Sequence, residues 1–242
     1  MIGFRPRLVP TLFTVPAVLI LIGLGVWQVQ RLSWKEGLIA QRAAAVAAPP
    51  VAPPPTLAAA RGLEFHRIVA EGVLQNGKEL YLAASSEGGG AGYQIITPLV
   101  MTDGRTMFVN RGFVPTELKD PAKRAAGEPA GQQRVVGLLR LPPAAKPSFF
   151  LPDNRPGLNL WFWVDLPAMA RAAGVAAPVP FYVDADKTPN PGGWPKGGVT
   201  RLALPNDHLQ YAITWFSLAA ALIVIYVLYH RRDASSENER QS

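Results

Sequence analysis

Cysteine is absent from the 242 residues. That excludes disulfides, thiolate metal sites and cysteine nucleophiles, and leaves the redox compartment open. Histidine is scarce, with three residues at positions 66, 208 and 230. The chain has no HExxH, no supported Ser-His-Asp arrangement and no internal repeat. The triple glycine at 88–90 lacks both a following helix pattern and a P-loop lysine, so it reads as a flexible loop. Charge is also thin: Asp, Glu, Lys and Arg make up 17%, below the usual quarter or so. Nothing in this inventory argues for catalysis.

The missing charge is concentrated in two places. Residues 8–30 and residues 209–229 carry none at all. Crossing ~30 Å of hydrocarbon at 1.5 Å per residue takes ~20 residues, and both stretches reach that length. The first exceeds a signal-peptide core of ~7–15 residues, and no A-x-A site follows it directly, so it reads as an uncleaved anchor. Arg5 and Arg7 precede the first span, and Arg231, Arg232 and Arg240 follow the second. Basic residues favour the cytoplasmic side, while a long translocated domain largely escapes that bias. Both tails are therefore expected in the cytoplasm and the middle domain on the other face, the periplasm of a bacterium. The start of the chain has no long Arg/Ser-rich, acid-poor leader, which argues against an organellar precursor. The net charge of +7 sits mostly in the middle domain, where basic and acidic residues are interspersed. A nucleic-acid footprint needs a concentrated basic face, so the lipid bilayer is the expected partner and nucleic acid is not.

Six segments follow: a tail at 1–9, a transmembrane helix at 10–30, a juxtamembrane segment with a Pro/Ala linker at 31–60, a β-rich domain at 61–205, a second transmembrane helix at 208–229, and a tail at 230–242. Proline density in AAAVAAPPVAPPPTLAAA (43–60) predicts an extended spacer. Strand-like runs are expected at 65–74, 79–83, 94–100, 106–113, 134–141, 161–164, 181–183 and 200–204, with Asp103-Gly104 as the clearest hairpin turn. One helix is expected at 167–173, between Asp165 or Leu166 and Gly174. The fold class is thus an α+β membrane protein: two antiparallel transmembrane helices flank a mostly antiparallel, barrel-like extracytoplasmic domain. Asp184 and Asp186 share a strand face but are too few for a metal. His66 reads as an ordinary strand residue.

The unusual residues gather at the outer ends of the spans. Trp27, Arg31 and Trp34 have helical spacing in GVWQVQRLSWK, with Gln28 and Lys35 among them. An interfacial aromatic belt with basic anchors accounts for Trp34 and Lys35; an amide near lipid wants a partner. The second span opens PNDHLQYAITW, where Asp207 and Gln210 have capping-box spacing and predict a helix start at His208. His208, Tyr211 and Trp215 then form a stripe, with Trp215 ~10 Å along the axis from His208. Ser217 and Ala221 would permit close approach of the two helices. Imidazole, indoles and a guanidinium at one depth suit a flat, greasy molecule with an anionic edge, such as haem. A histidine at a helix cap beside an aromatic belt is the bland alternative.

These motifs resemble those of the Surfeit locus protein 1 family (Shy-one), assembly factors for cytochrome c oxidase. The leading motif is carried by Gly25, Trp27, Gln28, Arg31, Trp34, Lys35, Leu38 and Ile39. The trailing motif is carried by Asn206, His208 to Ala212, Thr214 to Phe216, Leu218 and Ala219. VNRGFVP (109–115) and NLWFWVD (159–165) agree as well. The resemblance implies a non-enzymatic chaperone of respiratory chain biogenesis in the plasma membrane. Such a protein binds haem a transiently and aids its insertion into oxidase subunit I, with a haem a synthase as a further candidate partner. It implicates His208 and Trp215; from the residues themselves, His208 is expected as an axial ligand of the haem iron, with Tyr211, Trp27 and Arg31 added around the cofactor. Docking contacts are expected at Gln28, Trp34, Asn110, Arg111 and Gln210, although Arg111 reads equally as a turn device. Asp207 stands where many members have a second histidine, and Phe113 where many have tryptophan. A cofactor-free scaffold for subunit I and a membrane-anchored hydrolase are the competing classes.

Overall fold

The computed structural model describes residues 6–86 and 88–239, with side chains through 231. Arg5 and Arg240, read above as topology signals, lie outside the described residues. The chain forms two compact units, one from its two ends and one from Arg42–Leu202.

The terminal unit is a pair of helices, α1 (Leu8–Ala47) and α4 (His208–Glu239). Both contain stretches long and apolar enough to cross a membrane, which makes this a two-pass membrane protein. The helices are antiparallel: Gln28 meets His208 near one end and Thr11 meets Tyr226 near the other, the second contact at 2.5 Å. Their less exposed positions repeat by sevens. On α1 these include Thr11, Val18 and Gly25, and Thr14, Leu21 and Gln28; on α4 they include His208, Trp215 and Leu222, and Ala212, Ala219 and Tyr226. A seven-residue repeat is the pattern of two helices packed at a shallow left-handed crossing. At Gly25 an added Cβ would stand 2.6 Å from the Phe216 ring, so only glycine admits that ring. Ser217 and Ala221 are exposed and do not mediate the approach; the buried small residues are Ala212 and Ala219. The apolar segment is not the end of α1. Residues 31–47 continue it through good helix formers, until Pro49 and Pro50 withdraw two backbone donors.

The middle unit is a barrel-like sheet. Its strands are β1 (Arg67–Leu74), β2 (Leu80–Ser85), β3 (Ala91–Met101), β4 (Thr106–Pro115), β5 (Gln132–Arg140), β6 (Leu160–Trp161) and β7 (Tyr182–Ala185). They run in the order β1-β5-β7-β4-β3-β2-β6, and a further β1–β3 pairing closes the ring. Closure falls to β3, which places Leu99–Met101 against β1 and Ala91–Ile96 against β2. A register shift between Gln94 and Ile96 marks the bend between those tasks. Most pairs are antiparallel; β4–β7 and β2–β6 are parallel. The expected hairpin forms at Asp103-Gly104, where Asp103 Oδ2 accepts from Arg105 Nε at 2.8 Å. The stretch 200–204 is not a strand.

Two cores flank β4. Met107 and Val109 join Ile68, Leu99, Leu139 and Phe181 inside the barrel. Phe108 points the other way, to Trp161, Met169 and Tyr182 beneath the short helix α3 (Leu166–Ala173). A strand covered on both faces needs a continuous apolar run, and M-F-V supplies it. α3 starts as its sequence predicts, with Asp165 Oδ1 accepting from Ala168 N at 3.0 Å, and ends at Gly174.

The Pro/Ala segment is not a free spacer. Val51 bridges to β1, its N–H donating to Arg67 O and its carbonyl accepting from Val69 N, each at 2.9 Å. Arg105 donates to Pro54 O at 2.8 Å and Pro53 O at 3.2 Å, and Ala60, in the single helical turn α2 (Leu57–Arg61), is fully buried. Proline lacks a donor but keeps its acceptor, so a guanidinium can strap it to the sheet.

A buried ionic cluster closes one side of the domain. Arg124, 1% exposed, pairs with Glu79, donates to Leu118 O at 3.0 Å and reaches Glu128 at 3.2 Å. Glu79 also accepts from the Tyr81 hydroxyl at 2.9 Å. Burial and the Glu79 carboxylate push the Tyr81 phenol up, and the same two causes hold the Glu128 carboxyl above its ordinary value. Arg124→Leu leaves Glu79 buried without its cation and is expected to cost about 3–5 kcal/mol, read as a lowered midpoint in chemical denaturation of the full chain. A carboxyl raised on folding stabilises below its ordinary value of 4.5 and loses that contribution as pH rises through its folded value. Glu128→Gln removes this component. The melting temperature of the variant minus that of wild type should therefore rise with pH above 4.5.

Candidate functional site

α4 begins at His208, where the sequence places it, and the first-turn bond runs from Tyr211 N to Asp207 O at 3.2 Å. His208 is half-buried on the seam between the terminal helices. Its Nδ1 lies 2.7 Å from Oε1 of Gln28, an α1 side chain only 8% exposed. An amide oxygen can only accept, so this contact fixes the proton on Nδ1 and leaves the lone pair on Nε2. Nε2 has no protein partner among the described residues. Two turns along α4, Trp215 faces the same seam, and its Nε1–H is buried with no acceptor among the described residues. Asn206 Oδ1, just before the helix, is likewise buried and unpartnered. The seam thus holds one oriented imidazole, one unused donor and one unused acceptor within three turns.

The other residues expected around a cofactor face outward. Trp27 is 53% exposed and Tyr211 54%. Arg31 is also exposed, and its guanidinium lies 3.8 Å from the Trp34 ring centre, a cation–π stack on the outer face of α1. Gln210 is exposed on α4. The structure therefore brings together His208, Trp215 and Gln28, and sets Trp27, Arg31, Trp34 and Tyr211 on the outer surface of the helix pair. His230 is 22 residues further along α4, ~33 Å at helical rise, and binds Tyr226 O at 2.8 Å. Among the described residues no three His, Asp or Glu side chains form a metal-ligand group, so His208 stands as a single imidazole.

Asn110 and Arg111, expected as docking contacts, are buried within the barrel domain. They lie on β4 at 2% and 3% exposure. Asn110 Nδ2 donates to Gln94 Oε1 at 2.9 Å and Asp184 Oδ1 at 2.8 Å, while its Oδ1 accepts from Gly112 N. Arg111 donates to Gly127 O and to Asn76 Oδ1, and burial lowers its pKa from the ordinary arginine value. Gly112, at φ +119°, lets Lys196 O approach to 2.0 Å from where a Cβ would be. VNRGFVP is thus an internal joint of the barrel. NLWFWVD is another: Asn159 donates to Glu79 O and accepts from Trp161 Nε1, and Asp165 caps α3. Asp184 is 4% exposed and accepts from Asn110, Arg140 and Thr200.

The role of Asn206 was not visible in residue chemistry. An asparagine before a helix ordinarily reads as a cap, and only the absence of a bond to its oxygen separates it from one.

Comparison with known proteins agrees with the motif reading. The family model described as the SURF1 family matches residues 15–220. Surfeit locus protein 1 of Homo sapiens is 39% identical over 215 residues, covering 82% of this chain and 70% of that protein. The protein of the same name from Xenopus tropicalis is 37% identical over 222 residues, covering 84% of this chain and 70% of its own. A SURF1-like protein of Monosiga brevicollis is 35% identical over 240 residues, covering 95% of this chain and 90% of its own. The family match includes both seam segments, α1 around Gln28 and α4 from His208 through Trp215, and on this evidence the chain belongs to the SURF1 family.

Proposed function

We propose that this chain is an assembly factor for haem-copper (aa3-type) cytochrome c oxidase that binds haem a at the outer membrane boundary and hands it to subunit I. In this reading the protein holds and releases its cargo and makes or breaks no covalent bond. The observation that carries the proposal is the Gln28–His208 contact at 2.7 Å. A histidine that ligates a metal ordinarily gives its other ring N–H to an acceptor, which sets the tautomer and aims the ligating nitrogen. Gln28 supplies that acceptor, and the unused Nε1–H of Trp215 offers a donor to a polar edge of the cargo. Trp27, Tyr211 and Arg31, on the outer surface of the pair, would cover a ligand that lies against the helices rather than between them. A single histidine ligand suits cargo that must leave. We place both termini in the cytoplasm and the barrel domain in the periplasm of a bacterium. Support comes from Arg7 and Arg231, which lie toward the same end of the antiparallel pair.

The visible spectrum of the full chain, purified from cells that make haem a, tests the proposal. A Soret band is expected in wild type and lost in His208→Ala; no band, or a band that survives in His208→Ala, overturns it. If haem content of the assembled oxidase is unchanged in cells carrying His208→Ala, the cofactor-free scaffold is the better reading. Gln28→Leu keeps the seam packed but removes the acceptor. It should weaken haem binding by ~10–100-fold in titration, with the helical circular dichroism unchanged.

A further inference from the structure

Arg111, 3% exposed, holds a full charge away from water. Of the five N–H groups of a guanidinium, two are engaged, by Gly127 O and by Asn76 Oδ1, the latter at 3.5 Å. The others have no acceptor among the described residues, and no carboxylate among those residues forms an ion pair with Arg111. The acids whose charge acts on it, Glu79 and Glu128, are both paired with Arg124. A buried cation without a counter-ion is costly, and its unengaged donors suit an anion. Arg111 also lines a cavity of about 220 Å³.

The cavity lies at one end of the barrel, where β1 and β7 finish and β5 begins, and every residue around it belongs to the barrel unit. Barrel mouths are common places for ligand pockets. Its apolar wall is Leu74, Val109 and Val135, which belong to the inner core or pack on it. Val109 and Arg111 are two residues apart on β4, so both side chains leave the strand on one face. Two further charges line the space. Arg134 is exposed and has no ion pair among the described residues. Asp186 is already answered, by Thr188 N at 3.0 Å and by Arg67 at 3.8 Å. Its carboxylate disfavours a guest with two negative charges. A guanidinium fork matches the two oxygens of a carboxylate. The volume is below the roughly 300–1,000 Å³ of pockets for drug-sized ligands, which limits the guest to a few carbons. We propose that this barrel mouth binds a small organic monocarboxylate, its oxygens on the Arg111 guanidinium and its short apolar body against Leu74 and Val109. None of these residues belongs to the His208 seam, so the site is independent of haem binding.

Sodium valerate and its neutral amide, valeramide, are the probes, added to the full chain in micelles of deuterated detergent and read by saturation-transfer NMR. Valerate should receive saturation, and valeramide should bind at least about tenfold more weakly, because a hydrogen bond to a charged group gives way to a neutral one. Arg111 is built into the barrel, so the variants are taken from exposed lining positions. Thr188→Trp fills the cavity and should abolish the transfer. Arg134→Ala removes an exposed charge and should weaken binding by about threefold or less. Circular dichroism should be unchanged in both. Equal transfer to the two probes overturns the proposal, as does valerate binding that survives Thr188→Trp. Loss of binding in Arg134→Ala also overturns it, by moving the anchor to the rim, and so does displacement of valerate by equimolar inorganic phosphate. The source of the carboxylate is read by competition. Displacement by N-acetyl-alanyl-valine, at a lower concentration than valerate itself requires, assigns the site to the end of a polypeptide chain; no displacement assigns it to a free acid.

Discussion

β4 carries an asparagine and an arginine into a region covered on both sides, and the barrel domain is organised around satisfying them. A buried polar group left without a partner costs about 1–3 kcal/mol, more if charged. Asn110 is answered by Gln94 on β3 and Asp184 on β7. Asp184 in turn accepts from Arg140 on β5 and from Thr200, so one carboxylate joins three strands and the segment leading out toward α4. Arg111 is answered by Gly127, in the short helical turns that also carry Arg124. The short parallel β4–β7 pairing ends at the Asn110–Asp184 bond. Each polar residue that looked like a surface contact is a joint in this frame.

The terminal helices solve a different problem. In lipid there is little hydrophobic drive between helices, so shape and a few polar contacts must hold them. Here the shape is a seven-residue seam with glycine opposite Phe216, and polar contacts lie toward both ends. At one end Thr11 and Arg7 meet Tyr226 and Tyr229; at the other Gln28 meets His208. The second contact both joins the helices and orients the His208 ring, so one hydrogen bond serves the packing and the proposed site.

Much of this was legible in residue patterns. The spans came from charge-free length, α3 from its cap and its glycine, and the β3–β4 hairpin from Asp-Gly. The helix start at His208 followed from Asp207 and Gln210. What could not be read depends on partners distant in the chain. Asn110 and Arg111 look like an exposed turn because local chemistry does not report that Asp184 and Gly127 come to meet them. Trp27 and Arg31 share a face of α1, but a stripe carries no sign of whether it turns inward; the seam falls one residue over, on Gln28. The stretch 200–204 has strand composition and no neighbouring edge to pair with. The continuation of α1 through residue 47 has helix-forming composition, yet the change from apolar to polar residues reads as a boundary.

The strap between α1 and β1 shows another kind of independence from side chains. Arg105 grips the carbonyls of Pro53 and Pro54, and Val51 is held through its own N–H and C=O. Such recognition depends on the path of the main chain and hardly at all on which small residues follow it. The identities of the alanines and prolines here are therefore free to drift so long as the path is kept, while a change at the single residue that grips them is not. Low sequence complexity in this segment is thus compatible with a fixed place in the fold, and the information that fixes it is stored some fifty residues away in the hairpin.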